Sequence, residues 1–290
     1  MFKERSINIL NSTLFYLEQG EGCPVLFLHG MPVSSQIWRN IIPKLSNHSR
    51  CIAPDLIGMG QSGKPNIEYT VFDHIQYIEA FIEALDLNQI TLVMHGWGSV
   101  IGLEYARRYP DRIKGVACYE SHIRPMRDLN VLSLPVQQLI HDLDGMRDLE
   151  KLIVQENFLV ERFLPMSILK DMDSDLMQNY VRPFKTLASR KPLLTYAKEL
   201  PIGENMTPVK ALIQQSAEYL VESDVPKALL YTVPGFITTM STIAWAKINF
   251  SNLSVYDLGE GLHFAQETQP DLFASTLNEW LLSIYSSEEV

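Results

Sequence analysis

The chain is short of cysteine, of basic charge and of long apolar runs. Its 290 residues include three cysteines, Cys23, Cys51 and Cys118. That odd number, at no metal-ligand spacing, argues against both a disulfide framework and a zinc site. No metal or other cofactor is expected, and a reducing cytoplasm is the expected location. Lys and Arg total 24 against 34 Asp and Glu, for a net charge of −10. A chain of that sign repels the phosphate backbone that nucleic-acid binders must neutralise. No apolar run approaches the roughly 20 residues of a membrane span. The start, Met1-Phe2-Lys3-Glu4-Arg5, carries charge without an apolar stretch behind it. Neither nucleic acid nor membrane is therefore expected as a partner. Internal repeats and flexible linkers are also missing. What remains is ordinary globular composition, 46% hydrophobic and 20% charged, in a chain long enough to bury about three quarters of its unfolded surface.

Short apolar runs rich in β-branched residues alternate with helix-period segments, the pattern of a mostly parallel sheet covered by helices. Residues 25–29, 51–54, 90–95 and 113–118 read as buried strands. Between them, Phe72, Ile75, Ile78, Phe81, Ile82 and Leu85 recur at three- and four-residue steps and predict a helix over 72–87. A second helix over 98–108 ends where Pro110 stops it. From about 125 to 208 the strand pattern disappears, and Met, Leu, Phe and acidic residues recur at helical spacing with prolines as punctuation. Strand patterns return at 228–232 and 253–258, and a last helix covers about 270–286. This order predicts a core formed by 1–124 and 213–290, with a helical cap, 125–212, inserted between two sheet segments.

Three segments carry the chemistry. Leu92-Val93-Met94-His95-Gly96-Trp97-Gly98-Ser99 reads as strand, sharp turn and helix, which puts residue 96 where a nucleophile elbow presents its attacking side chain. That residue is glycine. Upstream, Phe27-Leu28-His29-Gly30-Met31-Pro32 is a strand and loop suited to supply an oxyanion-hole N–H from Met31, beside that of Trp97. Downstream, Leu258-Gly259-Glu260-Gly261-Leu262-His263 sets a histidine after the last strand, where a general base belongs.

With these segments the chain resembles a haloalkane dehalogenase of the alpha/beta-hydrolase fold along essentially its whole length. Trp38-Arg39-Asn40-Ile41-Ile42-Pro43, Arg50-Cys51-Ile52-Ala53-Pro54-Asp55-Leu56-Ile57-Gly58-Met59-Gly60 and Ala80-Phe81-Ile82-Glu83-Ala84-Leu85 are similar to that family's core segments. Glu156-Asn157 and Leu200-Pro201-Ile202-Gly203-Glu204 are similar to its cap. The resemblance implies an eight-stranded, mostly parallel sheet flanked by helices, with the cap after the sixth strand. It also implies a mechanism: an elbow aspartate displaces halide to form an alkyl ester, and histidine-activated water hydrolyses that ester. Carried over, His263 matches the base. Glu120, in Cys118-Tyr119-Glu120-Ser121-His122, matches the acid that holds it. Trp97 matches one donor to the halide, and Met31 occupies the place of the asparagine that is the other.

Gly96 and Met31 depart from the pattern. Glycine has no atom to attack with, and a thioether has no N–H to give an anion. The ester route is closed to this chain as it stands. The expected function is instead non-hydrolytic general-base chemistry by His263 and Glu120, an intramolecular displacement, cyclisation or elimination on a small apolar substrate that can be halogenated. Two alternatives stay open: a hydrolytic dehalogenase inactivated at its nucleophile, and a ligand-binding pseudoenzyme. A monomer or weak homo-oligomer is expected. Gly96 should also relieve strain at the elbow, where an unusual φ is required.

Smaller expectations follow. His29 and His95 should pack and hydrogen-bond rather than react, and Asp55 should bond local backbone N–H groups. Ser99, three residues past the elbow, is badly placed as a nucleophile. His122 is open between the site and the surface. Asp142, Asp144, Asp171, Asp173 and Asp175 read as solvated faces, not a metal site. Phe158, Leu159, Phe163, Leu164, Ile168 and Leu169 are cap positions of which some should line a cavity. The stretch 233–239 contains no carboxylate, which leaves Glu120 as the partner of His263.

Overall fold

A computed structural model describes residues 2–126, 130, 132, 134, 137–138, 141, 148–203 and 205–286. Asp142 and Asp144 lie outside the described residues.

Eight strands form one sheet: β1 (Lys3–Ile9), β2 (Ser12–Gln19), β3 (Cys23–Leu28), β4 (Ser49–Pro54), β5 (Ile90–Gly96), β6 (Ile113–Ser121), β7 (Lys227–Pro234) and β8 (Leu253–Gly261). Their spatial order is β1-β2-β4-β3-β5-β6-β7-β8. β1 pairs with β2, and β2 with β4, antiparallel; every later pair is parallel. The central strands are apolar throughout because both faces are covered. All seven residues of β5 are buried. β1 is an edge strand, exposed at Lys3, Glu4 and Arg5, and edge charge of this kind discourages pairing with another chain.

The flanking helices include α1 (Val71–Ala84), α2 (Trp97–Arg108), α3 (Ser174–Val181), α4 (Lys191–Lys198), α5 (Pro208–Glu222), α6 (Met240–Asn249) and α7 (Pro270–Ser286). α1 opens on a capping box, Thr70 and Asp73 each accepting the other's backbone N–H. Its buried residues Ile75, Ile78, Phe81 and Ile82 are the stripe read from the sequence. The helical cap follows β6. The expected boundary at 212/213 falls inside α5, whose Val209, Leu212, Ile213 and Leu220 are buried in the main core.

One buried cluster clasps cap to core. Arg39 Nη2 donates to Glu267 Oε2 at 2.8 Å, Arg39 Nη1 donates to Glu267 Oε1, and the hydroxyl of Tyr180, on α3, donates to the same oxygen. Glu267 stands four residues beyond His263, so the cap is tied to the segment carrying that histidine. No helix among the described residues is long and apolar enough to cross a membrane.

Candidate active site

The parallel strands deliver five chain segments to one end of the sheet, the end where open α/β sheets bind ligands. β5 runs to Gly96 and α2 begins at Trp97, so residue 96 alone makes the turn. Its φ of +52° and ψ of −126° suit glycine and strain any residue with a Cβ. A Cβ built there would nonetheless meet only ordinary contacts: Gly30 Cα at 3.5 Å, His263 Nε2 at 3.7 Å and His263 Cε1 at 3.9 Å. The backbone is strained for a side chain, but the space is open. Gly96→Asp is therefore expected to cost about 1–2 kcal/mol and to lower the melting temperature by about 2–6 °C. A calorimetric scan showing no fall would contradict the strain.

Glu120 reaches the site through an irregularity. β5 and β6 pair His95 with Tyr119 and then Gly96 with Ser121, leaving Glu120 as the extra residue of a bulge, at φ +47°. The bulge re-aims its side chain, and the carboxylate is fully buried. Oε2 accepts from His263 Nδ1 at 2.9 Å, from the Ile237 N–H at 2.8 Å and from the Phe236 N–H at 3.0 Å. Oε1 accepts from the N–H groups of Phe236 at 3.0 Å and Thr238 at 3.2 Å. The loop after β7, which has no carboxylate of its own, thus forms a nest of backbone donors around the carboxylate of β6. Gly235 permits the approach: at φ +63° a Cβ there would lie 2.9 Å from Glu120 Oε1.

His263 follows β8. An acceptor already taking backbone N–H bonds fixes the proton on Nδ1 and leaves Nε2 with its lone pair. The ring is held by Phe236, stacked at 5.6 Å and 20°, and by the edge of Phe264 at 4.7 Å. His95 Nε2 donates to the His263 carbonyl at 2.9 Å. Burial, reinforced by the neighbouring His263, pushes the His95 ring well below its ordinary range, so it stays neutral. His29 is fully occupied, with Nδ1 on the Gly30 carbonyl at 2.7 Å and Nε2 accepting from the Leu56 N–H at 2.9 Å. Asp55 accepts from the N–H groups of Ser35 and Gln61, both at 2.7 Å. Ser99 Oγ donates to the Gly96 carbonyl at 2.6 Å and accepts from the His122 N–H at 2.9 Å. Its hydroxyl is committed to holding the elbow.

Gly96, Trp97, Met31 and His263 line a cavity of about 100 Å³, and Glu120 lies behind His263. Of the cap positions expected to reach a cavity, Leu159 and Phe163 do. Phe158, Leu164 and Ile168 are buried in the core, and Leu169 is exposed. Trp97 is flat against Tyr196 of α4, at 4.6 Å and 16°. As the first residue of α2 it also has a backbone N–H without an intrahelical acceptor. The sequence left seven contributors unassigned: His122, which is buried in the cavity wall, and Met126, Leu132, Leu200, Ile202, Phe236 and Ile237, which line it. Pro234-Gly235 marks a turn, but backbone donors carry no side-chain signature. Asp173 caps α3 by accepting from the Leu176 N–H at 2.8 Å. Among the described residues no group of three or more His, Cys, Asp or Glu side chains is placed to hold a metal ion.

A family model described as alpha/beta hydrolase fold matches residues 24–157. A haloalkane dehalogenase from Mesorhizobium japonicum is 40% identical over 282 residues, 96% of this chain and 91% of that protein. One from Agrobacterium fabrum is 37% identical over 268 residues, 92% of this chain and 88% of that protein. Among solved structures, the haloalkane dehalogenase DbeA from Bradyrhizobium elkani superposes with a TM-score of 0.94 at 35% identity, covering 99% of this chain and 100% of that one. With that overlap along nearly the whole length, in sequence and in fold alike, the chain belongs to the haloalkane dehalogenase family of the alpha/beta-hydrolase fold.

Proposed function

We propose that the protein is a general-base enzyme of this family that works without a covalent nucleophile, promoting displacement within a substrate that brings its own. The observation that carries the reading is His263, with Nδ1 on Glu120 and Nε2 facing the position where a Gly96 Cβ would stand, 3.7 Å away. Nε2 takes the proton of a substrate hydroxyl. The oxygen's electron pair forms a new C–O bond at the carbon bearing the leaving group, and the C–X bond breaks with its electrons going to X. A halide leaves toward the indole and backbone N–H groups of Trp97. The products are a cyclic ether, halide and a histidine cation, which Glu120 steadies until its proton passes to water. Met31 contributes apolar wall here, since its thioether donates nothing to an anion.

His263→Ala is expected to lower halide release from short chloro- and bromo-alcohols by at least about 100-fold. Unchanged release would sink the base assignment. A second reading has one observation in its favour: a Cβ at residue 96 would meet only ordinary contacts, so the pocket still accepts a side chain there. In that reading the protein is a hydrolytic dehalogenase without its nucleophile. Gly96→Asp, alone or with Met31→Asn, would then release halide from simple haloalkanes while the unsubstituted chain is silent toward haloalkanes and halo-alcohols alike.

A further inference from the structure

We infer that His122 is the polar anchor of the cavity and that it selects a neutral, hydroxyl-bearing ligand over an equally shaped hydrocarbon. The inference rests on the reading above for the seat of the ligand beside Gly96, and it concerns what binds there rather than what reacts.

The cavity wall is almost wholly apolar, with Met31, Leu159, Phe163, Leu200, Ile202 and Phe236 among its residues. Besides His263 and Trp97, His122 is the sole polar side chain lining it among the described residues. The residue is 3% exposed, and its Nδ1 has no hydrogen-bond partner among the described residues. A buried polar atom left in that state is costly, and the ring gains by any hydrogen bond its other nitrogen can make.

The imidazole is not free to swing away. Its own backbone N–H is bonded to Ser99 Oγ, which is bonded in turn to the Gly96 carbonyl. The ring leans on the Trp97 indole, with centroids 5.6 Å apart at 49°. His122 is thereby held at the elbow end of the cavity, next to Gly96 and Trp97.

The chemistry of the ring sets the chemistry of the ligand. Burial, with His263 nearby, pushes the His122 imidazole down to about 3, so at neutral pH it offers one N–H donor and one lone pair and carries no charge. Nδ1 is closed off from the cavity, so a ligand hydroxyl pairs at Nε2. An ionised ligand gains no ion pair from a neutral ring and would be stripped of water by the apolar wall. A hydrocarbon leaves the ring unpaired.

The test compares cyclopentanol with methylcyclopentane, which differ by OH for CH₃, as ligands of the intact protein by calorimetric titration at neutral pH. The unsubstituted chain should prefer the alcohol by about tenfold beyond what transfer from water predicts. His122→Leu should lose that preference, and His122→Gln, which restores a donor and an acceptor, should recover most of it. An equal preference in the unsubstituted chain and His122→Leu would overturn the inference. So would no preference in the unsubstituted chain, a result that needs no variant to fold. A chain that prefers the alcohol yet never releases halide from chloro-alcohols would uphold the anchor and sink the displacement chemistry. Turnover without the preference would do the reverse.

Discussion

Glu120→Ala is expected to destabilise the protein by about 3–5 kcal/mol, a large share of the ~5–15 kcal/mol that holds a domain folded. Three backbone N–H groups, those of Phe236, Ile237 and Thr238, end on this one carboxylate together with His263 Nδ1. Removing it orphans them in a fully buried place. Glu120→Gln is the sharper variant. Each carboxylate oxygen accepts at least two N–H bonds, so either orientation of the amide turns an NH₂ toward backbone donors. The near-isosteric change should therefore cost almost as much as alanine, although it preserves shape and could still hold the imidazole. Urea denaturation of both variants decides the matter. A glutamine variant within about 1 kcal/mol of the unsubstituted chain would mean that Glu120 serves His263 alone.

That double duty explains what the sequence disclosed of the site and what it withheld. Glu120 and His263 are legible because each belongs to a strand, or follows one, that reads clearly. Ile113–Ser121 and Leu253–Gly261 pair in parallel with β7, at the far side of the sheet from the exposed edge. β6 is buried at all but one of its nine residues and reads as a continuous run. β8 is the opposite edge, largely half-exposed, and is marked instead by the strand formers Leu253, Val255 and Tyr256. The bulge at Glu120 has no such mark. It arises from the register between β5 and β6, a relation between residues more than twenty positions apart, and no local pattern encodes it. The nest at 236–238 is invisible for a different reason: its function lies in main-chain N–H groups that every residue but proline possesses.

The edges of the fold were hidden in the same way. β1 is a polar segment, Lys-Glu-Arg-Ser-Ile-Asn-Ile, exposed at its first four residues, and resembles a loop until β2 is beside it. α5 packs against α2 of the core although its sequence continues the helical pattern of the cap, and only that tertiary contact separates the two. His122 was ambiguous because alternation along β6 predicts a face, whereas the left-handed Glu120 breaks that alternation just before it.

Two buried histidines, His74 and the cavity-lining His122, should make the protein acid-labile. His74, on α1, is fully buried and stacked on Tyr196 at 4.7 Å and 19°, with neither ring nitrogen hydrogen-bonded among the described residues. Burial, aided by His29, pushes it down to about 3, as burial does for His122. In the unfolded chain both rings titrate near 6.5. Above about pH 6.5 neither state binds the protons, and the full stability is present. As pH falls below that, the unfolded chain takes up protons that the folded one refuses, so stability declines until the folded rings also protonate near 3. Each ring withdraws about 1.4 kcal/mol per pH unit, or together about 5 kcal/mol by pH ~4.5. His74→Phe keeps an aromatic face for Tyr196 and removes one titrating ring. Whatever its packing does to stability at neutral pH, the dependence of unfolding free energy on pH between about 6.5 and 4.5 should become shallower by about 1.4 kcal/mol per unit. Parallel curves for the two proteins would place the acid sensitivity elsewhere.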